Sequence, residues 1–150
     1  MRIIHYPTTN LIIYGSPRGC FGNALEYVEE LDDGDMRYCE GICYDPAQGI
    51  AFHHAWAVDV VKKQNNEVSP LHGDELYFGC IVGRPRLRSR SSADGTVGPF
   101  FTFRELGPIK ERIRRLHPGV KFYRATRDGD PCLCGSGKKC ENRKICVWIR

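Results

Sequence analysis

Eight cysteines and five histidines in 150 residues carry most of the reactive chemistry in this chain, and their spacing divides it in two. Cys132, Cys134, Cys140 and Cys146 crowd into the last 20 residues. Cys132 and Cys134, one residue apart, bring two soft thiolates to a single ion, and Gly135-Ser136-Gly137 lets the backbone fold tightly around it. With Cys140 and Cys146 the set is complete for an all-cysteine tetrahedral zinc site. A tail of this length buries too little surface to fold alone, so the metal would supply the missing stability.

The other four thiols, Cys20, Cys39, Cys43 and Cys80, are spread through the first 80 residues. Cys20 stands directly before Phe21-Gly22-Asn23-Ala24, where apolar residues begin to recur at helical spacing, which predicts a helix whose first turn holds the thiol. A helix N-terminus favours thiolate through its positive partial charge and free N–H groups. His53-His54-Ala55-Trp56 lies in a β-like run and offers an imidazole base, so the order is cysteine on a helix followed by histidine on a strand. Cys39 and Cys43, four apart, share one strand face and read as buried thiols, and Cys80 as a third.

Three local words, Arg18-Gly19-Cys20-Phe21-Gly22-Asn23-Ala24, Tyr38-Cys39-Glu40-Gly41-Ile42 and His54-Ala55-Trp56, resemble the papain-like cysteine hydrolases, and more narrowly small bacterial and phage proteins of that kind, over residues 14 to 82. The resemblance implies a triad. Cys20 attacks a carbonyl carbon, His54 accepts and returns the proton, a third side chain orients the imidazole, and the backbone N–H of Cys20 helps hold the oxyanion. Such relatives follow the histidine strand with Asp-Pro-Thr, where this chain has Val68-Ser69-Pro70-Leu71. Asp74 and Asp59 are the substitute carboxylates. Asp59, five residues past His54, falls on the opposite face of a regular strand, which favours Asp74.

Arg127 to Lys139, with Asp130-Pro131-Cys132-Leu133-Cys134-Gly135-Ser136-Gly137 at its centre, resembles the start of the SEC-C motif, a small zinc-binding tail of many bacterial proteins. Leu133 replaces the usual proline, and Arg143 and Lys144 fall near the place of the motif's second ligand pair. Cys140 and Cys146 therefore stand in for that pair. The resemblance implies docking of the tail on a protein partner or the ribosome.

These residues need a scaffold, and the hydrophobic pattern outlines one. Ala24, Leu25, Val28 and Leu31 recur at helical spacing with Glu26, Glu29 and Glu30 between them, until Asp32-Asp33-Gly34-Asp35 ends the helix. Arg37 to Tyr44 and Ile50 to Val61 are β-like across the turn Asp45 to Gly49, Gln64-Asn65-Asn66 reads as a second turn before another extended segment, and Leu76 to Val82 as a further strand. Ile3 to Tyr14 reads as short strands or an extended arm, and Gly83 to Gly98 as a linker. A basic helix is expected from about Pro108 to His117, then a short strand from Val120 to Tyr123. The expected fold is α+β and papain-like: a cysteine-bearing helix on an antiparallel sheet, followed by a small zinc module. The divisions are 1–82 for the core, 83–126 for the basic loop, helix and strand, and 127–150 for the zinc-binding tail.

Composition narrows the function classes. Hydrophobic residues at 41% and charged residues at 27% describe a globular chain with a real core, not a disordered or collagen-like one. No apolar run approaches the roughly 20 residues that cross a bilayer, and the first residues lack the pattern of a secretory signal, so no membrane contact and a cytoplasmic location are expected. The net charge of +4 is unevenly placed. Residues 1–80 hold five Lys and Arg against twelve Asp and Glu, a net of −7, and residues 81–150 hold seventeen against six, a net of +11. Two function classes follow. One is a thiol-dependent hydrolase, deamidase or acyl transferase for an amide, thioester or peptide bond, localised by its zinc tail on a protein substrate or partner. The other is a non-catalytic adaptor whose basic, zinc-bearing half meets nucleic acid, the ribosome or a protein.

Overall fold

The structure, a computed structural model, describes residues 1–12, 14, 19–69, 71, 74–88 and 99–123. Helix α1 runs Cys20–Leu31 and buries Asn23, Ala24, Leu25 and Val28 while Glu26, Glu29 and Glu30 face outward. Asp32 ends it in the left-handed conformation, its N–H bonded to the Glu29 carbonyl. Strands β2 (Met36–Asp45) and β3 (Ile50–Asp59) then form a ten-residue antiparallel hairpin. Its turn closes where the Asp45 carboxylate accepts the Ala47 and Gln48 N–H groups and Gly49 takes a positive φ, a local bond that competes with the ladder.

Strand β4 (Gln64–Glu67) continues antiparallel to β3, and β5 (Leu76–Ile81) pairs antiparallel with the far edge of β2. The Gln64-Asn65-Asn66 stretch, expected as a turn, is therefore strand. The reversal lies just before it, where Asp59 accepts the Val61 and Lys62 N–H groups and Lys63 adopts φ 53°. Asn65 belongs on a strand here because its polar ends are spent internally, accepting from the Trp56 indole and donating to the Tyr6 carbonyl.

Two further strands make the sheet mixed where an antiparallel one was expected. β1 (Thr8–Leu11) runs parallel to β4, and β6 (Lys121–Tyr123) parallel to the start of β3. The path is β1-β4-β3-β2-β5, with β6 beside β3. Helices α2 (Arg84–Arg88) and α3 (Gly107–Leu116) complete the α+β architecture; α2 falls at the start of the expected linker. Among the described residues no helix is long and apolar enough to cross a membrane.

The sheet buries both faces. On one, Tyr38, Ile42, Ala55 and Phe78 meet Ala24, Leu25 and Val28 of α1 together with Leu87, Phe100, Leu106, Ile109 and Ile113. On the other, Cys39, Cys43, Trp56, Val58 and Tyr77 are covered by Ile4, Tyr6 and Leu71. The amino-terminal arm is pinned along β5 by an Ile4–Gly79 bridge and by His5, which bonds the Tyr77 carbonyl and stacks on Phe78 of the first face.

Candidate functional site

One edge of β3 is interrupted. Its residues 57–59 pair with β4 and 50–52 with β6, so among the described residues no strand lies beside 53–56 on that edge. His53 and His54 sit in this gap, and the first turn of α1 approaches it. The Phe21 ring meets His53 edge-on at 5.2 Å between centroids, and Cys20, its neighbour, lies near enough to the His54 ring to favour its charged form. Gly19 caps α1 without a side-chain bond, and the N–H groups of a first helical turn have no intrahelical acceptor and favour negative charge.

Successive residues on a strand point to opposite faces, so the adjacent histidines find different partners. His54, 3% exposed, places Nε2 2.7 Å from Oε2 of Glu67, which is fully buried. The same carboxylate accepts the Tyr77 hydroxyl at 2.8 Å and the Ser69 N–H at 2.7 Å. With Nε2 committed to Glu67, Nδ1 is the nitrogen left to face Cys20. Burial disfavours the imidazolium, yet the Glu67 charge and the Cys20 thiol outweigh it and hold the His54 pKa well above its ordinary value. The other thiols of the core differ. Cys39, Cys43 and Cys80 are buried, and desolvation pushes each of them up, whereas Cys20 is half-buried.

The structure thus brings Cys20 and His54 together and sets Glu67 on the imidazole. Asp74 is exposed ahead of β5, and Asp59 is spent on the β3–β4 turn, where the Lys62 N–H, against some desolvation, leads the groups that hold its carboxyl below the usual range. Ser69, in the place where aspartate was expected, serves through its backbone N–H, and its buried hydroxyl has no hydrogen-bond partner among the described residues. Sequence reasoning missed Glu67, although a signal existed. The β3–β4 ladder ends by pairing Ala57 with Asn66, and strand alternation puts the next residue, Glu67, on the face that His54 shares.

Glu40 was singled out only as part of a sequence word. It is fully buried and accepts four hydrogen bonds: from Tyr38 at 3.0 Å, from His53 Nε2 at 2.8 Å, and from the Phe100 and Phe101 N–H groups at 2.9 Å each. Gly41 beside it is required, because a Cβ there would strike the Phe78 carbonyl of β5.

The four expected zinc ligands, Cys132, Cys134, Cys140 and Cys146, lie outside the described residues. Among the described residues no group of three or more His, Cys, Asp or Glu side chains is arranged to hold a metal ion. Comparison of the chain with protein-family models, with curated proteins and with solved structures found no match.

Proposed function

We propose that this protein is a thiol-dependent hydrolase, deamidase or acyl transferase acting on an amide, thioester or peptide bond, with Cys20 as nucleophile, His54 as base and acid, and Glu67 as the carboxylate that orients the ring. One observation carries the reading: a single buried imidazole is bonded to a fully buried carboxylate and lies within interaction reach of a half-buried thiol at a helix start. The helix-cysteine, strand-histidine order also supports a papain-like kinship.

In the proposed reaction the Cys20 thiol passes its proton to His54 as the sulfur attacks the carbonyl carbon, and the π pair moves onto oxygen beside the first-turn N–H groups of α1. Collapse expels the amine or thiol leaving group, which takes the proton from His54, and leaves a thioester on Cys20. Water or an acceptor amine then attacks the thioester carbon while His54 removes its proton, and collapse breaks the C–S bond, releasing the acyl product and the Cys20 sulfur, which takes the proton back from His54. Glu67 fixes the ring and stabilises its charged form. It does not take the proton itself.

The test is alkylation of the full chain by iodoacetamide, read at Cys20 by peptide mass spectrometry across pH. His54→Ala should lower the neutral-pH rate by roughly 10²-fold or more, and Glu67→Gln should lower it in the same direction, general acid–base groups being worth about 10²–10⁴. Neutral-pH rates that both substitutions leave unchanged would end the reading.

The +11 charge of residues 81–150 supports a second role for that half, docking on an acidic protein surface, nucleic acid or the ribosome, with zinc holding the tail together. Binding of this kind weakens steeply with salt.

A further inference from the structure

Glu40 is a fully buried carboxylate on β2. A carboxylate taken out of water is tolerated only when its lone pairs are filled, and here they are. Each oxygen accepts one backbone N–H, Phe100 on Oε2 and Phe101 on Oε1, and each accepts one side chain, Tyr38 on Oε2 and His53 on Oε1. A backbone N–H can only donate, so both oxygens must be acceptors, a requirement that a carboxylate meets and a carboxamide does not.

The directions of these bonds matter more than their number. The Phe100 and Phe101 bonds fasten the segment entering α3 to the sheet. The His53 bond reaches the other way, because the His53 ring is the surface on which Phe21, the neighbour of Cys20, rests. Ala55, directly opposite Glu40 in the β2–β3 ladder, is small enough to leave that diagonal open. Tyr38 joins the two sides, bonding Glu40 through its hydroxyl, meeting Phe100 edge-on and lying within electrostatic reach of Cys20.

We propose that Glu40 is a positioning residue for the Cys20 thiol: acting through His53 and Phe21 it fixes the first turn of α1 against His54, and it makes that alignment depend on the docked segment 99–101. This inference rests on the reading of Cys20 and His54 as nucleophile and base. It gives the Glu40-Gly41 word a function that the triad leaves unused. It also predicts that the thiol is held by two parallel relays, Glu67 to His54 for the proton and Glu40 to His53 for the helix.

The experiment uses the full chain and compares wild type with Glu40→Gln, His53→Gln, Phe21→Leu and His54→Ala. The iodoacetamide rate at Cys20 is followed from acid to alkaline pH, and near-UV circular dichroism reports the fold. Glu40→Gln should lower the rate at neutral pH roughly tenfold across the lower part of the profile, because a thiol held less closely to the His54 base passes its proton to it less readily. His53→Gln keeps a donor for Glu40 but removes the ring, and Phe21→Leu removes the contact on that ring. Both should move the profile in the same direction.

A folded Glu40→Gln protein whose profile matches wild type within about twofold, while His54→Ala flattens it, overturns the inference and leaves the nucleophile reading standing. Should Glu40→Gln fail to fold, wild-type profiles in both His53→Gln and Phe21→Leu overturn it equally. A wild-type profile in His54→Ala removes the nucleophile reading itself, and the inference with it.

Discussion

His54 carries a charge account that fixes the sign of a pH dependence. In an unfolded chain a histidine loses its proton near about 6.5, whereas in the folded protein Glu67 and Cys20 overcome burial and keep the proton on His54 well above that value. Below the unfolded value both states are protonated and the full stabilisation is present. As pH rises past it the unfolded state sheds its proton first, so stability falls until the folded pKa is passed. The stability gap between wild type and His54→Asn, measured by urea unfolding, should therefore be larger near about pH 6 than near about pH 9. A gap that is constant or widens with pH would contradict the charged pair. Little of this was readable from the residues alone. Cys20 and His54 announce themselves by type and order, but the carboxylate that charges the ring is found only through strand register.

Register is set by the elements, and two glycines show how tightly. Gly41 and Gly79 face each other across β2 and β5. A Cβ on Gly41 would collide with the Phe78 carbonyl, and one on Gly79 would come within 2.5 Å of the Trp56 ring and 2.8 Å of the Cys39 sulfur. The first obstacle is backbone and cannot yield, while the second is side chain in a core that is already full. Gly41→Ala should cost about 3 kcal/mol or more and Gly79→Ala about 1–3 kcal/mol, in line with overpacking. Thermal melts of both variants check the order, and an unshifted Gly41→Ala melt would contradict the close approach. The same elements explain what was legible. The α1 helix and the β2–β3 hairpin follow from apolar spacing and from Asp45 and Gly49, and lie within a residue or two of their expected bounds. β4 was hidden because Asn-Asn is ordinarily turn chemistry. Only Lys63 in the left-handed region and the bonds of Asn65 to Trp56 and Tyr6 show that the turn had already closed. With Gln64-Asn65-Asn66 taken as the turn, the register that brings Glu67 to His54 was hidden, and the carboxylates weighed were Asp74 and Asp59.

At the scale of the molecule the division of charge does not coincide with a division of the core. Leu87, Phe100, Phe101, Leu106, Ile109 and Ile113 come from the basic half and are buried in the same cluster as Ala24, Tyr38, Ile42 and Phe78 from the acidic half. Glu40 fastens the two halves with the Phe100 and Phe101 N–H groups. Three of the four cations of α3 lie over aromatic rings of the fold, Lys110 on Phe103, Arg112 on Phe78 and Arg114 on Phe122. Two truncations separate what the core needs from what the tail adds. A chain ending at Tyr123 keeps every contact just named and should retain the melting temperature and the Cys20 alkylation rate of the full chain. It should bind no zinc, whereas the proposed tail site predicts about one zinc per molecule in the full chain. A chain ending at Arg88 loses five buried apolar side chains, each worth about 1.5–3 kcal/mol, against a total stability of about 5–15 kcal/mol. It also leaves Glu40 buried without two of its four donors. That chain should show no cooperative melt, and a cooperative transition with wild-type Cys20 reactivity would mean that the acidic half folds and aligns its thiol without the basic half.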